Sequence, residues 1–197
     1  MDLLVVAIAF GSIFVVELPD KTFIATLVLS TKFRPLYVWI GVGLAFLVQT
    51  LVAVLLGHAA SFLPADVVRG VALAMFLIGA VLLFREGLSH AADDGSEFVE
   101  KAGDPHGAKV ILTSFLVLFA AEWGDLSQLL TLTLVARYSD PTSVFVGAWG
   151  ALLAVSGLAV IVGRQLLKRI PLHALHYAGA AVCLLLACWT AYELFAA

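Results

Sequence analysis

The stretch Glu17-Leu18-Pro19-Asp20-Lys21-Thr22 occurs a second time, in altered form, as Glu122-Trp123-Gly124-Asp125-Leu126-Ser127. Each copy consists of an acid, a bulky apolar residue, a helix breaker, a second acid, a variable residue and a hydroxyl. Both copies lie inside long apolar runs, where an ionised side chain costs free energy and usually has a function. We call these stretches the first and second acidic boxes.

The composition around the boxes is that of a membrane protein. Of 197 residues, 62% are hydrophobic and 13% are charged, whereas soluble domains are about 45–50% apolar and about 25% charged. The pattern predicts an all-α polytopic membrane protein with six transmembrane helices in the lipid bilayer. The net charge of −3 gives no indication of a nucleic-acid partner. The six apolar segments cover roughly residues 3–30, 36–57, 67–88, 109–136, 143–165 and 172–195.

The chain divides into two similar halves. A polar, acidic stretch separates the third and fourth segments, so we predict a first three-helix repeat at 1–88, a linker at 89–108 and a second three-helix repeat at 109–197. The two boxes align with an offset of 105 residues, and Gly41 aligns with Gly147 at 106. Because three is odd, the second half must enter the membrane from the opposite side, which predicts an inverted-topology repeat.

The distribution of Lys and Arg predicts the orientation. The linker side of the membrane carries eight of these cations and the other side carries two. Positive charge is retained in the cytoplasm, so we expect a cytoplasmic linker, both termini outside, and a bacterial-type plasma membrane. The acidic linker is typical of a solvated, flexible segment. The alternative is a loop that collects cations or regulates transport.

The boxes supply oxygen ligands. A Glu and an Asp three residues apart lie on one face of a helix, while Pro19 and Gly124 are expected to break the helix between them. Carboxylates, freed carbonyls and hydroxyls would form an all-oxygen lining, which suits Ca²⁺, Mg²⁺ or Mn²⁺. Inverted repeats place equivalent helices together near the bilayer midplane. The predicted metal ligands are Glu17, Asp20, Glu122 and Asp125.

Four carboxylates in one chamber must bind a cation, take up protons or pair with a positive side chain. This requirement favours divalent-cation/proton antiport, with Lys21 as the internal counter-ion of the empty state. No prosthetic group is expected, and a homo-oligomer is compatible with the sequence. Glu86 and Glu193 fall at segment ends and are expected to be solvated, and no histidine is assigned a ligand role. The predicted ion path comprises Lys21, Thr22, Ser127 and Gln128.

The doubled box resembles the motif of uncharacterised protein family sixteen, the Gdt-one type of manganese and calcium exchangers. That family carries Glu-x-Gly-Asp-(Lys/Arg)-(Thr/Ser) twice, once on the first helix of each half. The resemblance implies export of Mn²⁺ first and Ca²⁺ second from the cytoplasm, coupled to protons, through the four acids and the Thr22 and Ser127 hydroxyls. Two residues depart from the motif: Pro19 replaces the first glycine, and Leu126 replaces the second basic residue.

Three alternatives remain open at the level of the sequence. An exporter of a cationic amino acid such as lysine would also use an acidic cavity. An intramembrane hydrolase could use paired acids, although no His-Glu-x-x-His or Gly-x-Ser-x-Gly is present. A scaffold without transport activity would use the acids only to hold helices together. An exchanger is not an enzyme, and it is the interpretation that accounts for two matched boxes.

Overall fold

All regular structure in the described part of the chain is helical. The computed structural model describes residues 1–18, 20–88, 100–103, 105–169 and 172–195, so Pro19 and most of the linker lie outside the described residues. The described part contains eight helices of twelve or more residues. They are α1 (Leu3–Glu17), α2 (Lys21–Lys32), α3 (Pro35–Ala60), α4 (Ala65–Leu88), α5 (Lys109–Ala121), α6 (Leu126–Tyr138), α7 (Pro141–Arg169) and α8 (Leu172–Phe195).

The apolar segments correspond to these helices, with one correction. Three described helices are long and apolar enough to cross a membrane: α3, α4 from Asp66, and α7 up to Ile161. The first and fourth segments are not single helices. α1 and α2 meet at an angle of 71°, and α5 and α6 at 73°, so each segment is a bent pair that could form one further span. The all-α membrane fold is therefore confirmed, whereas exactly six spans stays a prediction.

Each bend falls inside an acidic box. In the second box Gly124 has φ +78°, a left-handed conformation that glycine adopts without the steric cost of a side chain. The next residue, Asp125, is the N-cap of α6, just as Asp20 is the N-cap of α2. The expected breaking role of Gly124 agrees with this geometry, and Pro19 lies outside the described residues. The Glu and Asp of a box are therefore on two successive helices, and the expectation of one shared helix face is wrong.

The long helices of the two halves cross in antiparallel pairs. Between α3 and α7, the indole Nε1 of Trp39 donates to the carbonyl of Leu153 and that of Trp149 donates to the carbonyl of Gly43, each at 3.2 Å. α4 and α8 pack in the same antiparallel manner, with Phe84 and Tyr177 rings 5.6 Å apart. Antiparallel packing of equivalent helices is what an inverted repeat would produce. We keep the repeat and its division at 1–88 and 109–197 as predictions.

Two glycines at matched positions allow helices to approach closely. A Cβ added to Gly147 on α7 would lie 2.5 Å from the carbonyl oxygen of Val6 and 2.8 Å from the Cβ of Ala9 on α1. A Cβ added to Gly41 on α3 would meet α5 in the same way, 2.9 Å from the Cβ of Ser114. Small residues allow this close contact in membrane proteins. The contacts bring the box-bearing pairs α1–α2 and α5–α6 against the central helices α3 and α7.

The start of α1 is attached to the start of α7. The backbone N–H of Asp2 donates to the hydroxyl of Ser143 at 2.8 Å, and Ser143 also donates through its hydroxyl and its backbone N–H to the Asp140 carboxylate. These bonds, first of all the one from the hydroxyl, hold the pKa of the Asp140 carboxyl below its usual range. The first helix is thereby fixed against the second half of the chain.

Candidate metal centre

The four acids of the two boxes converge. One carboxylate oxygen from each lies within 4.8 Å of the others, in a group formed by Glu17, Asp20, Glu122 and Asp125. Glu17 is the last residue of α1 and Glu122 is the C-cap of α5. Both glutamates are only 1% exposed, whereas the two aspartates are half-buried. We call this group the carboxylate cluster.

The aspartates are placed by helix capping. Asp20 accepts a hydrogen bond from the backbone N–H of Thr22 at 3.3 Å, and Asp125 accepts one from that of Gln128 at 3.0 Å. A carboxylate at an N-cap pairs with free N–H groups and faces the positive end of the helix dipole. Two helix N-termini therefore hold negative charge at the cluster. The Asp of each box, followed two residues later by a hydroxyl, is a capping signal that the sequence already contains.

The hydroxyls of the two boxes are used differently. Thr22 Oγ1 lies 2.9 Å from Glu17 Oε1 and 3.3 Å from Asp20 Oδ2, so its hydrogen is directed to the glutamate. Ser127 Oγ lies 3.2 Å from Asp125 Oδ2 and 3.3 Å from Oδ1. Both hydroxyl residues are buried. The predicted positions of Thr22 and Ser127 at the site agree with the geometry, but the serine serves the aspartate of its box rather than the glutamate.

The carboxylate oxygens of Glu122 are fully buried. Neither of its buried carboxylate oxygens accepts a hydrogen bond from any group in the described part of the chain. Buried polar atoms are almost always satisfied, and a buried carboxylate without a partner is costly. An ion or a proton in the chamber would satisfy these oxygens. The cluster therefore offers oxygen ligands, two of which accept no hydrogen bond within the described residues. These are features expected of a binding site for a hard cation.

Gln128 supports the break in the second half. Its side-chain oxygen accepts from the backbone N–H of Gly124 at 2.9 Å, and its Nε2 lies 3.4 Å from the carbonyl of Gln49. Gln49 in turn donates to the carbonyl of Phe119 at 3.0 Å. The two glutamines thus tie the break to α3 and α5. The contacts of Gln49 are those of a residue that supports the site.

The cluster opens into a cavity of about 240 Å³. Its wall includes Lys21, which is exposed and forms no ion pair with a box carboxylate within the described residues. The counter-ion role of Lys21 therefore stays a prediction. On one side the cavity is lined by α4 from its middle toward its end, including Met75, Ile78, Leu82 and Glu86. Placement of Glu86 on this wall was not expected, because nothing in the sequence indicates which way a residue at a helix end faces.

The sequence matches the family model described as divalent cation/proton antiporter GDT1 over residues 5–91 and 110–197. The chain belongs to this family. The two matched ranges cover both halves and leave out the linker. A GDT1 member is a transporter, so the chain is not an enzyme, and the intramembrane hydrolase is excluded as its function.

The curated relatives cover between 79% and 95% of this chain. A GDT1-like protein of Synechocystis, sll0615, is 32% identical over 79% of this chain and 84% of its own length. A Vibrio cholerae protein with the name "Putative manganese exporter" is 30% identical over 95% of this chain and 90% of its own. The chloroplastic protein PAM71 of Arabidopsis thaliana is 30% identical over 95% of this chain, which spans 56% of PAM71. No solved structure matches.

Proposed function

We propose that this GDT1 member exports Mn²⁺ from the cytoplasm in exchange for protons, with the carboxylate cluster as the site that both occupy in turn. The observation that carries the proposal is the convergence of four carboxylate oxygens, from two halves of the chain, within 4.8 Å of one another. An all-oxygen set is the one that Mn²⁺, Ca²⁺ and Mg²⁺ prefer.

Charge repulsion in the cluster supports the exchange. Two unit negative charges 4.8 Å apart repel by about 3 kcal/mol at an effective dielectric constant of about 20. Four such charges in a nearly dry chamber require compensation by a divalent cation or by protons. Entry of the cation would release protons, and protons that return from the other side would release the cation. The alternation couples the two fluxes.

We propose Mn²⁺ rather than Ca²⁺ as the preferred substrate because of the name of one relative. Oxygen ligands alone do not separate the two ions, which differ in their demands on cavity size and flexibility. The Vibrio cholerae relative is named for manganese export, and this name supports the choice of ion and of direction. Export also agrees with the predicted orientation, since the cavity follows the half of α4 that leads to the linker.

Transport by the purified full-length chain in liposomes with an imposed pH gradient tests the proposal. We expect Mn²⁺ to move in the direction opposite to the proton flux, and Ca²⁺ to move more slowly. Lysine should not compete with Mn²⁺ for transport. Glu122→Gln and Asp125→Asn should each reduce the Mn²⁺ rate at least about tenfold, because each removes a cluster charge. Asn also caps helices well, so Asp125→Asn should preserve the fold.

Asp66→Asn is the matched control. Asp66 is an exposed acid at the far end of α4 that pairs with Arg69 at 3.5 Å and does not line the cavity. Its neutralisation should leave the rate unchanged. Proton-coupled Mn²⁺ transport that survives both cluster substitutions would contradict the assigned site, and transport of lysine instead of Mn²⁺ would favour the amino-acid exporter.

A further inference from the structure

Along α4, the cavity around the carboxylate cluster extends toward the linker end of the helix. On α4 it is lined from Met75, near the middle of the helix, to Glu86, two residues before the helix ends. Residues 65–74 of α4 are not among the residues that line it. Glu86 therefore lies at the linker end of a cavity whose inner part holds the buried Glu17.

Glu86 is paired with a histidine from α8. His176 Nε2 lies 3.6 Å from Glu86 Oε2, and the side chains are 10% and 58% exposed respectively. The imidazole is thus fixed by its surroundings, whereas the carboxylate remains accessible. Next to the pair, the ring of Tyr177 packs on Phe84. The ring also lies 2.8 Å from the position that a Cβ on Gly87 would take, which is closer than van der Waals contact allows. The end of α8 holds this part of α4 in place.

We propose that Glu86, positioned by His176, is the carboxylate that captures the divalent cation at the linker end of the cavity before it reaches the cluster. The inference rests on the proposed function and adds a residue outside both boxes. A hydrated cation that moves to a site of 1% exposure must exchange its waters for protein oxygens in steps. A half-exposed carboxylate on the cavity wall offers the first of these oxygens by direct contact with the ion.

The charges near Glu86 are consistent with such a role. The described residues that line the same cavity include three cluster acids, Glu17, Asp20 and Asp125, and one cationic residue, Lys21. Without Glu86, the charged side chains on this wall would be the three cluster acids and Lys21. With Glu86 in place, the linker end of the cavity carries a negative charge that offsets the lysine.

Initial rates of Mn²⁺ transport test the inference, measured in membrane vesicles of both orientations against Mn²⁺ concentration. We expect Glu86→Gln to raise the KM about three- to tenfold when Mn²⁺ is supplied from the linker side, with kcat changed less than about twofold. Glu86→Asp should recover part of the loss. His176→Gln should raise the KM less than Glu86→Gln does, since it affects the carboxylate only through its position.

Two controls separate capture from a general effect of charge. Asp66→Asn removes an exposed acid from the same helix, away from the cavity, and should leave the KM unchanged. The effect of Glu86→Gln should also persist at about 1 M salt, where surface fields are screened within about 3 Å. An unchanged KM in Glu86→Gln, an equal rise in Asp66→Asn, or loss of the effect in salt would each overturn the inference.

The two proposals fail in different ways. If the unsubstituted chain transports Mn²⁺ and Glu86→Gln behaves like it, only the capture role is overturned. If the unsubstituted chain moves no divalent cation, the proposed function is overturned, and this inference with it.

Discussion

Asp20 and Asp125 each serve two purposes, because the same carboxylate caps a helix and faces the cluster. The two roles can be separated by chemistry. Asparagine keeps the cap and removes the charge, whereas alanine removes both. A loss of transport in the asparagine variants with normal yield of folded protein would therefore report on charge alone, and the alanine variants would lose stability as well.

Gly124 is the residue whose backbone conformation makes the break in the second half. Alanine at φ +78° is strained, so Gly124→Ala should lower the free energy of unfolding by about 1–3 kcal/mol. Asparagine tolerates this region better, so Gly124→Asn should cost less. Unfolding of the detergent-solubilised protein measures both. Equal stability of the alanine variant and the unsubstituted chain would contradict the conformation described for the break.

At the scale of single residues the sequence predicted the identity of the cluster but not its support. The duplication was sufficient to predict that the acids of the two boxes lie together, because inverted repeats place equivalent helices side by side. The contact between Glu86 and His176 was not predicted, and neither was the support that Gln49 gives to the break. Both depend on which helices become neighbours, and a single sequence without tertiary information does not specify those contacts.

At the scale of the helices, the two bent pairs form the site. The glycines allow these pairs to pack closely against the central helices. The hydropathy pattern located the apolar segments but could not show that two of them are broken, because an apolar residue contributes equally to either half of a bent span. Pro19 and Gly124 predicted the breaks, and the caps of α2 and α6 with the positive φ of Gly124 show their geometry. The physical result is that four helix termini, rather than two helix midpoints, meet at the cluster.

The close contacts at Gly41 and Gly147 lead to a prediction for these elements. Gly41→Ala and Gly147→Ala should each destabilise the protein by about 1–3 kcal/mol through overpacking, because each new Cβ would lie too close to backbone atoms of the facing helix. Gly11→Ala on α1 is the matched control, since nothing lies within 4 Å of its added Cβ. Thermal unfolding in detergent compares the three. Similar loss in Gly11→Ala would show that the close approach is not the cause.

For the molecule as a whole, the two halves contribute equally to the site, and their long helices pack antiparallel. Such an arrangement would follow from insertion of the halves in opposite directions. The orientation in the membrane still rests on the distribution of Lys and Arg. The side-chain contacts describe how the halves meet, but they carry no information on which face of the molecule is in the cytoplasm.

Labelling of single cysteines tests the predicted orientation. In a chain with Cys183 and Cys188 replaced by alanine, Phe62→Cys and Lys101→Cys substitute exposed residues. The predicted topology puts these two positions on opposite sides of the membrane. A membrane-impermeant maleimide added to intact cells should label the cysteine at 62 and not the one at 101. After the cells are opened, both should react. Labelling of 101 alone in intact cells would reverse the orientation and, with it, the proposed direction of transport.

The capping bonds make occupancy observable without a transport assay. The amide hydrogens of Thr22 and Gln128 are bonded to the aspartate oxygens that face the chamber. An ion that draws on those oxygens changes the protection of these two amides from deuterium. Isotope exchange at the first turns of α2 and α6 would therefore report the loading of the protein directly, and in both halves at once.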